Sequence, residues 1–355
     1  MINTRGARLR WAAALVIIAV IIVLTDRRHS PSNIEDTVAT FLQVHNIPGA
    51  VLAYGAANTR PKVVAFGVSD PLKNTAMLPE QSFYLASVTK PIAATLLIEK
   101  AKKEQIDLDR PIAKLIDLPK PYDPRAALIT PRHLLAHRGG FDWTISFDPI
   151  FAPERVGLDN SSSCAEVAKA TWQTMPLDHD PGSKTAYSNV GFCLLSDLLA
   201  PNQPENLDNK LLENAGVNLY ERAGLNWEFD GEGWTPVQNT EAEQAWISEL
   251  GIAGGAVGNA NSVWYFASAP KPLFKNSSPD DQSDDFYASG WHVWMEENGQ
   301  HLTHWGALKG IFTTVFRFSD DETVVILFNG SPESPRNAFS ALHSALLKIN
   351  NLARR

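Results

Sequence analysis

The chain has 355 residues, 44% hydrophobic and 20% charged, with a formal net charge of −8. That composition supports a sizeable core and excludes a disordered, collagen-like or disulfide-dense chain. The acidic balance, with no basic stripe outside the extreme N-terminus, argues against nucleic-acid binding, and no repeat of roughly 20 to 50 residues points to a solenoid or propeller.

In chain order, Arg5, Arg8 and Arg10 precede an uncharged run from Trp11 to Thr25 dominated by Ala, Val, Ile and Leu. Residues 1–29 read as an N-terminal membrane anchor or signal segment, and 30–355 as one domain. No Ala-x-Ala-like cleavage site follows the run, and Asp26-Arg27-Arg28 lies just past it. Both favour an uncleaved single-pass anchor over a cleaved signal that would give a secreted form. Basic residues ahead of the run keep that end in the cytoplasm, which places the domain periplasmic or otherwise extracytoplasmic, on the inner membrane.

Ile34, Val38, Phe41, Leu42 and His45 share one face of a helix that ends at Pro48-Gly49. Strand-like runs follow, Ala50 to Tyr54 and Lys62 to Val68. Val88 to Lys102 is helical and so apolar from Ile92 to Ile98 that it is buried on most sides. Pro91 is tolerated only in a first turn, which puts the start near Ser87. Thr130-Pro131, an N-cap with proline at the first helical position, opens a short helix to His137. Gly139-Gly140 begins a loop carrying Phe141, Trp143, Phe147 and Phe151. Cys164 to Thr174 is helical, Pro181-Gly182 turns the chain into Tyr187-Ser188-Asn189, and Val190 to Leu199 is helical again.

Residues 201 to 245 show no readable order. Beyond them Phe286 to Glu296, His301 to Trp305, Ile311 to Phe318 and Thr323 to Phe328 are strands with short connections, and so antiparallel neighbours. A helix from Arg336 to Ile349 closes the chain. The expected fold is α+β, an α-β sandwich: one antiparallel sheet drawn from both chain ends and flanked by helices, with a helical subdomain over about 105–245. The two cysteines, Cys164 and Cys193, lie on helices. Two buried thiols are the plainer reading; an oxidising compartment leaves a disulfide open.

Three motifs carry chemistry. Ser87-Val88-Thr89-Lys90 puts an amine one helical turn from a hydroxyl. Serine needs a base, and lysine serves as one when burial depresses its pKa. The helix start also aims a free backbone N–H at a reacting carbonyl. Ser268-Ala269-Pro270-Lys271 repeats the spacing, but its proline makes it a surface turn. In Tyr187-Ser188-Asn189 a phenol near a lysine can hold a lowered pKa and relay a proton, while Asn189 can orient the lysine or bind a substrate amide. His304-Trp305-Gly306 ends a strand whose next residue, Ala307, can offer an oxyanion N–H, with Gly306 allowing close approach. His137-Arg138-Gly139 resembles this third motif but precedes the second.

The order of these motifs resembles the class C β-lactamase-like superfamily, which includes low-molecular-weight penicillin-binding proteins, D-aminopeptidases and β-lactamase-fold esterases. Ile47-Pro48-Gly49-Ala50-Val51, Ile129-Thr130-Pro131-Arg132-His133-Leu134-Leu135-Ala136-His137 and Gly254-Gly255-Ala256-Val257 share the likeness, which spans about 34 to 350. It implies a β-lactamase/transpeptidase-like fold and acylation of Ser87, with Lys90 and Tyr187 as the base pair. Asn189 would contact Lys90 and substrate, and the amides of Ser87 and Ala307 would form the oxyanion hole. It implies no metal or organic cofactor.

His304 and Trp305 stand where true β-lactamases carry Lys-Thr. A largely neutral histidine binds a substrate carboxylate less well, and Trp305 would narrow the cleft. Both favour a small-molecule ester, amide or peptide substrate over a β-lactam. Trp143, Phe147, Trp291 and Trp294 are candidates for an apolar acyl pocket, against ordinary core packing. The competing expectation is a non-catalytic, membrane-tethered module that binds peptidoglycan or a partner protein.

Overall fold

The structure is a computed structural model, and it describes residues 33–199, 216–218, 223–238, 240–271, 285–296 and 299–353. Helix α1, Ile34–Val44, starts at Asn33, whose side chain accepts the Asp36 N–H at 2.9 Å, and it buries Val38, Phe41 and Leu42. Strands β1 (Gly49–Ala56), β2 (Lys62–Asp70), β3 (Thr75–Ala76) and β4 (Ser82–Tyr84) follow. A 3₁₀ turn, Ala86–Val88, then leads into α2, Thr89–Glu104.

The middle of the chain contributes α3 (Pro131–Leu135), α4 (Cys164–Thr174) and α5 (Asn189–Cys193). Thr130 caps α3 as its Thr-Pro pair requires, and Ser188 caps α5. The stretch without readable order holds short strands β5 (Val217–Asn218), β6 (Asn226–Phe229) and β7 (Trp234–Val237), then α6 (Glu241–Glu249). Helix α7 (Gly251–Gly254), β8 (Val257–Asn259) and α8 (Ala260–Ser268) complete this part.

Strands β9 (Asp285–Ala288), β10 (Trp291–Glu296), β11 (Gly299–Leu308), β12 (Ile311–Arg317) and β13 (Glu322–Phe328) precede the last helix, α9 (Pro335–Ala353). The eight-stranded sheet has the order β3-β2-β1-β13-β12-β11-β10-β9. Every neighbouring pair is antiparallel. Strands β4, β8 and β5 form a separate, smaller sheet.

The pleat divides the core. Ala50, Leu52, Val324, Ile326, Phe328, Phe312 and Phe316 meet α1 and α9 on one face. Their sequence neighbours Val51, Ala53, Val325, Leu327 and Val315 join the larger cluster with α2 and α8 on the other. The fold is therefore the expected α+β sandwich with a sheet from both chain ends.

Three local expectations change. Phe286 to Glu296 is not one strand but the hairpin β9–β10, because Ser289 and Gly290 both adopt positive φ (53° and 78°), the geometry of a tight primed turn. Val190 to Leu199 is broken between α5 and a short turn of helix at Ser196–Leu199. Cys164 and Cys193 are not two thiols but a disulfide, with Cα atoms 5.3 Å apart. Among the described residues no helix is long and apolar enough to cross a membrane. The anchor expected within residues 1–29 lies outside them.

Candidate active site

Strand β4 delivers the chain to Ser87, which lies in the 3₁₀ turn before α2. The residue before it, Ala86, sits at φ 44°, a conformation that costs energy for a residue with a Cβ. The turn is held from three sides. The Leu85 N–H donates to the Ala256 carbonyl at 2.8 Å, the Leu85 carbonyl accepts the Thr313 hydroxyl at 2.8 Å, and Gly306 of β11 packs directly on it. A Cβ on Gly306 would lie 2.6 Å from both the Leu85 oxygen and the Ser87 nitrogen. Gly306 thus admits the nucleophile's own turn, with which a side chain here would collide.

The register of β11 on β12 orients Ala307. Leu308 pairs with Ile311 across a two-residue connection, which makes that pair hydrogen-bonded and the next one, Ala307 with Phe312, non-hydrogen-bonded. The Ala307 N–H therefore points away from β12. Pairing of β10 with β11 stops at Thr303, so no β10 residue pairs with Ala307, which lines the same cleft as Ser87.

Lys90, in the first turn of α2, is completely buried. Its Nζ lies 3.3 Å from the Ser87 Oγ, 2.5 Å from the Asn189 Oδ1 and 2.5 Å from the Ala253 carbonyl. The last two partners only accept. A neutral amine has two N–H bonds and one lone pair; with both N–H bonds given to Asn189 and Ala253, the lone pair is left for the serine. Burial lowers the Lys90 pKa from 10.5 to about 7, against the field of Asp148, so this neutral form is well populated near pH 7.

The Tyr187 hydroxyl donates to the Ser87 Oγ at 2.8 Å, and the Lys90 Nζ lies 5.0 Å from the Tyr187 ring centre. The expected acidified phenol is not what the surroundings produce. Loss of hydration, with Tyr287 and Asp148 nearby, pushes Tyr187 well above its ordinary value of 10.0. The lysine field does not offset this, because in the range where a phenol titrates, near 10 and above, the amine has already lost its proton.

His304 is buried, 2% exposed. Its Nδ1 donates to the Trp305 carbonyl at 3.0 Å, which leaves Nε2 as an unpartnered acceptor. Burial and Lys90 lower its pKa to about 3, so it is neutral throughout the physiological range. Strand alternation puts it on the same face as Gly306, close enough to Lys90 and His137 for their charges to act on one another. Trp305 does not narrow the cleft: it points to the opposite face, 5.9 Å from Phe339 of α9, because adjacent strand residues alternate sides.

The cleft beside Ser87 is lined by Asn189, Ile150, Phe151, Leu250, Ala253 and Leu308 among others, none of them charged. Phe151 is 41% exposed at its rim, and Trp143 and Phe147 are exposed on the same loop. Of Trp291 and Trp294, expected with them, the first is buried in the core and the second is half-buried on the sheet. Trp291 stacks on Phe266, and Trp294 donates from Nε1 to the Thr303 hydroxyl at 2.9 Å.

The repeated Ser-x-x-Lys is not a second site. Ser268 is the buried end of α8 rather than a surface turn, its hydroxyl donates to the Tyr265 carbonyl, and Lys271 donates to the Phe266 carbonyl. His137, set aside in the sequence as an imitation of the third motif, lies against the site. Its ring centre is 4.2 Å from that of Tyr187, and its Nδ1 accepts the Ser188 N–H at 3.3 Å. Asp148 also went unremarked. It is 3% exposed and accepts the Asn189 N–H at 2.6 Å. Asp148-Pro149 is a cap-then-proline pair like Thr130-Pro131, and nothing local in it points to Asn189.

Residues 34–347 match the family model described as Beta-lactamase. Among curated proteins, the probable fimbrial assembly protein FimD, serogroup H1, of Dichelobacter nodosus is 30% identical over 43% of this chain and 36% of its own length. Esterase EstB of Burkholderia gladioli is 28% identical over 35% of this chain and 33% of its own. These matches thus cover about a third of each relative. Among solved structures, EstCE1, described as a hydrolase with promiscuous acyltransferase activity, superposes with a TM-score of 0.69 at 17% identity, covering 88% of this chain and 97% of its own. The D-amino acid amidase of Ochrobactrum anthropi SV3 gives 0.67 at 18%, covering 91% and 99%. At these identities the two likenesses speak for the fold.

Proposed function

The chain belongs to the Beta-lactamase family, and from that membership we propose that it is a serine hydrolase that forms an acyl-enzyme on Ser87 and cleaves an ester or amide with an apolar acyl group. One observation carries the reading: the Ser87 hydroxyl meets the Tyr187 hydroxyl at 2.8 Å and a buried Lys90 amine at 3.3 Å, with both N–H bonds of that amine engaged elsewhere. In this reading Lys90 takes the Ser87 proton as Oγ attacks the carbonyl carbon. The N–H groups of Ser87 and Ala307 receive the developing oxyanion. Tyr187, protonated and bonded to Oγ, passes a proton to the leaving group and is resupplied by Lys90. Water then hydrolyses the acyl-enzyme.

The uncharged cleft wall supports the apolar acyl group. A neutral, buried His304 supports a substrate without a carboxylate at that position, and so an ester or simple amide before a β-lactam. Esterase and amidase relatives agree in class. We place the enzyme on the extracytoplasmic face of a membrane, tethered by residues 1–29, on the strength of the basic-then-apolar run alone.

The test is labelling with a fluorophosphonate followed by mass spectrometry. The expected result is one adduct, on Ser87, lost in Ser87→Ala, together with faster release of nitrophenol from hexanoyl than from acetyl esters. A folded chain that is neither labelled nor active would establish the binding-module reading instead. Trp305 does not bear on that choice, because it lies on the far face of the sheet.

A further inference from the structure

We propose that Asp148 is a positioning residue for the catalytic amine: through Asn189 it holds Lys90 in the orientation that leaves its lone pair on Ser87. The proposal rests on the serine-hydrolase reading above and deepens it.

Asp148 lies in the loop that builds the cleft rim. One carboxylate oxygen accepts the Ile150 N–H at 3.1 Å; the other accepts the Asn189 N–H at 2.6 Å, from 41 positions along the chain. The first bond is an ordinary turn cap, for which Asn or Ser would serve as well. The second joins the cleft wall to the first residue of α5. A carboxylate enclosed this fully is unfavourable unless its charge is answered. Burial pushes the Asp148 carboxyl above its ordinary value, and two backbone N–H groups and the field of Lys90, one side chain away, offset part of that.

The consequence for the amine is geometric. Lys90 holds its lone pair toward Ser87 only while Asn189 and the Ala253 carbonyl take its two N–H bonds. Asn189 Oδ1 projects from the residue whose backbone Asp148 grips. Releasing that grip lets Asn189 shift, frees one N–H, and lets the amine rotate off Ser87.

The carboxylate also acts through space. The other titratable groups around Lys90 are Tyr187, His137 and His304. Burial keeps both imidazoles neutral and the phenol protonated, so none of them answers the charge of a protonated Lys90. Asp148 does, and so favours the protonated amine.

The experiment compares full-length wild type, Asp148→Asn and Asp148→Ser. For each it records kcat and KM for a nitrophenyl ester, the pH profile of kcat/KM, the rate of fluorophosphonate labelling at Ser87, and thermal unfolding. The expected result is a folded enzyme whose kcat falls by on the order of tenfold to a hundredfold with little change in KM. Its acid limb should move down by roughly one pH unit or more, because the charge that favoured protonated Lys90 is gone.

A turn cap would change only the unfolding temperature. Variants with the wild-type kcat and acid limb overturn the proposal. So does failure of both variants to fold, which would make the role structural. If wild type itself is not labelled at Ser87, the hydrolase reading fails before any variant is compared; if it is labelled and the variants match it, only the role of Asp148 fails.

Discussion

Lowering the pH below 7 should switch the enzyme off through one residue. Lys90 must be neutral to accept the Ser87 proton, and burial sets its pKa at about 7. The neutral fraction is then about a half at pH 7, about a tenth at pH 6 and about a hundredth at pH 5. kcat/KM, which reports the free enzyme, should fall about tenfold per pH unit on the acid side and level off above roughly pH 8. The buried imidazoles do not blur this limb, because His304 titrates near pH 3 and His137 is also held well below its ordinary value. Initial rates on a nitrophenyl ester across that range give the curve. A plateau extending to pH 5, or a limb near the ordinary lysine value, would refute the claim that Lys90 is the base.

The same group has a stability signature of defined sign. The unfolded chain carries the lysine proton up to about 10.5, the folded chain only to about 7. Between these values the unfolded state binds more protons, so the contribution of this site to stability rises with pH across that window. The full gap is on the order of 5 kcal/mol. Lys90→Met removes this dependence: its stability relative to wild type should be greatest below pH 7 and decline toward pH 10, as read from urea midpoints.

Two further outcomes follow from packing. Gly306→Ala presses a methyl into the backbone beside Ser87, which cannot yield as a side chain would. We expect a loss of about 1–3 kcal/mol in urea unfolding and of at least about a hundredfold in the labelling rate of Ser87; a variant normal in both would disprove the close approach. Removing the disulfide as Cys164→Ala with Cys193→Ala frees a loop closed over 29 positions. This should cost about 3–4 kcal/mol on the chain-entropy account while leaving labelling at Ser87 intact once the chain is folded. An unchanged urea midpoint would show that the two cysteines are not joined.

What was legible in the sequence was what depends on spacing. Pro91 located the start of α2 and so the Ser87–Lys90 face. Thr130-Pro131 marked a capped helix, and alternating apolar runs marked the sheet. What was not legible depends on surroundings. That Tyr187 gains no acidity follows from desolvation and from two neighbours remote in the chain. That Asp148 grips Asn189 across 41 positions leaves no trace in either segment. The direction of Trp305 was within reach: with Gly306 against Ser87, strand alternation already sends residue 305 to the other face. The β9–β10 turn was hidden because Ser289-Gly290 is a faint signal between aromatic residues, and the cysteine pairing because sequence separation says nothing of Cα distance.

Strand β1 lies between β2 and β13, paired from Ala50–Phe328 to Ala56–Glu322. The ribosome therefore makes one edge of this seam well over two hundred residues before the other. Until residue 328 emerges, Ala50 to Ala53 present open backbone on a sticky, apolar strand, a template for pairing with the wrong chain. Closing this seam has to wait for residue 328, and a nascent chain of this kind has a long interval in which a chaperone or an export channel can hold it open.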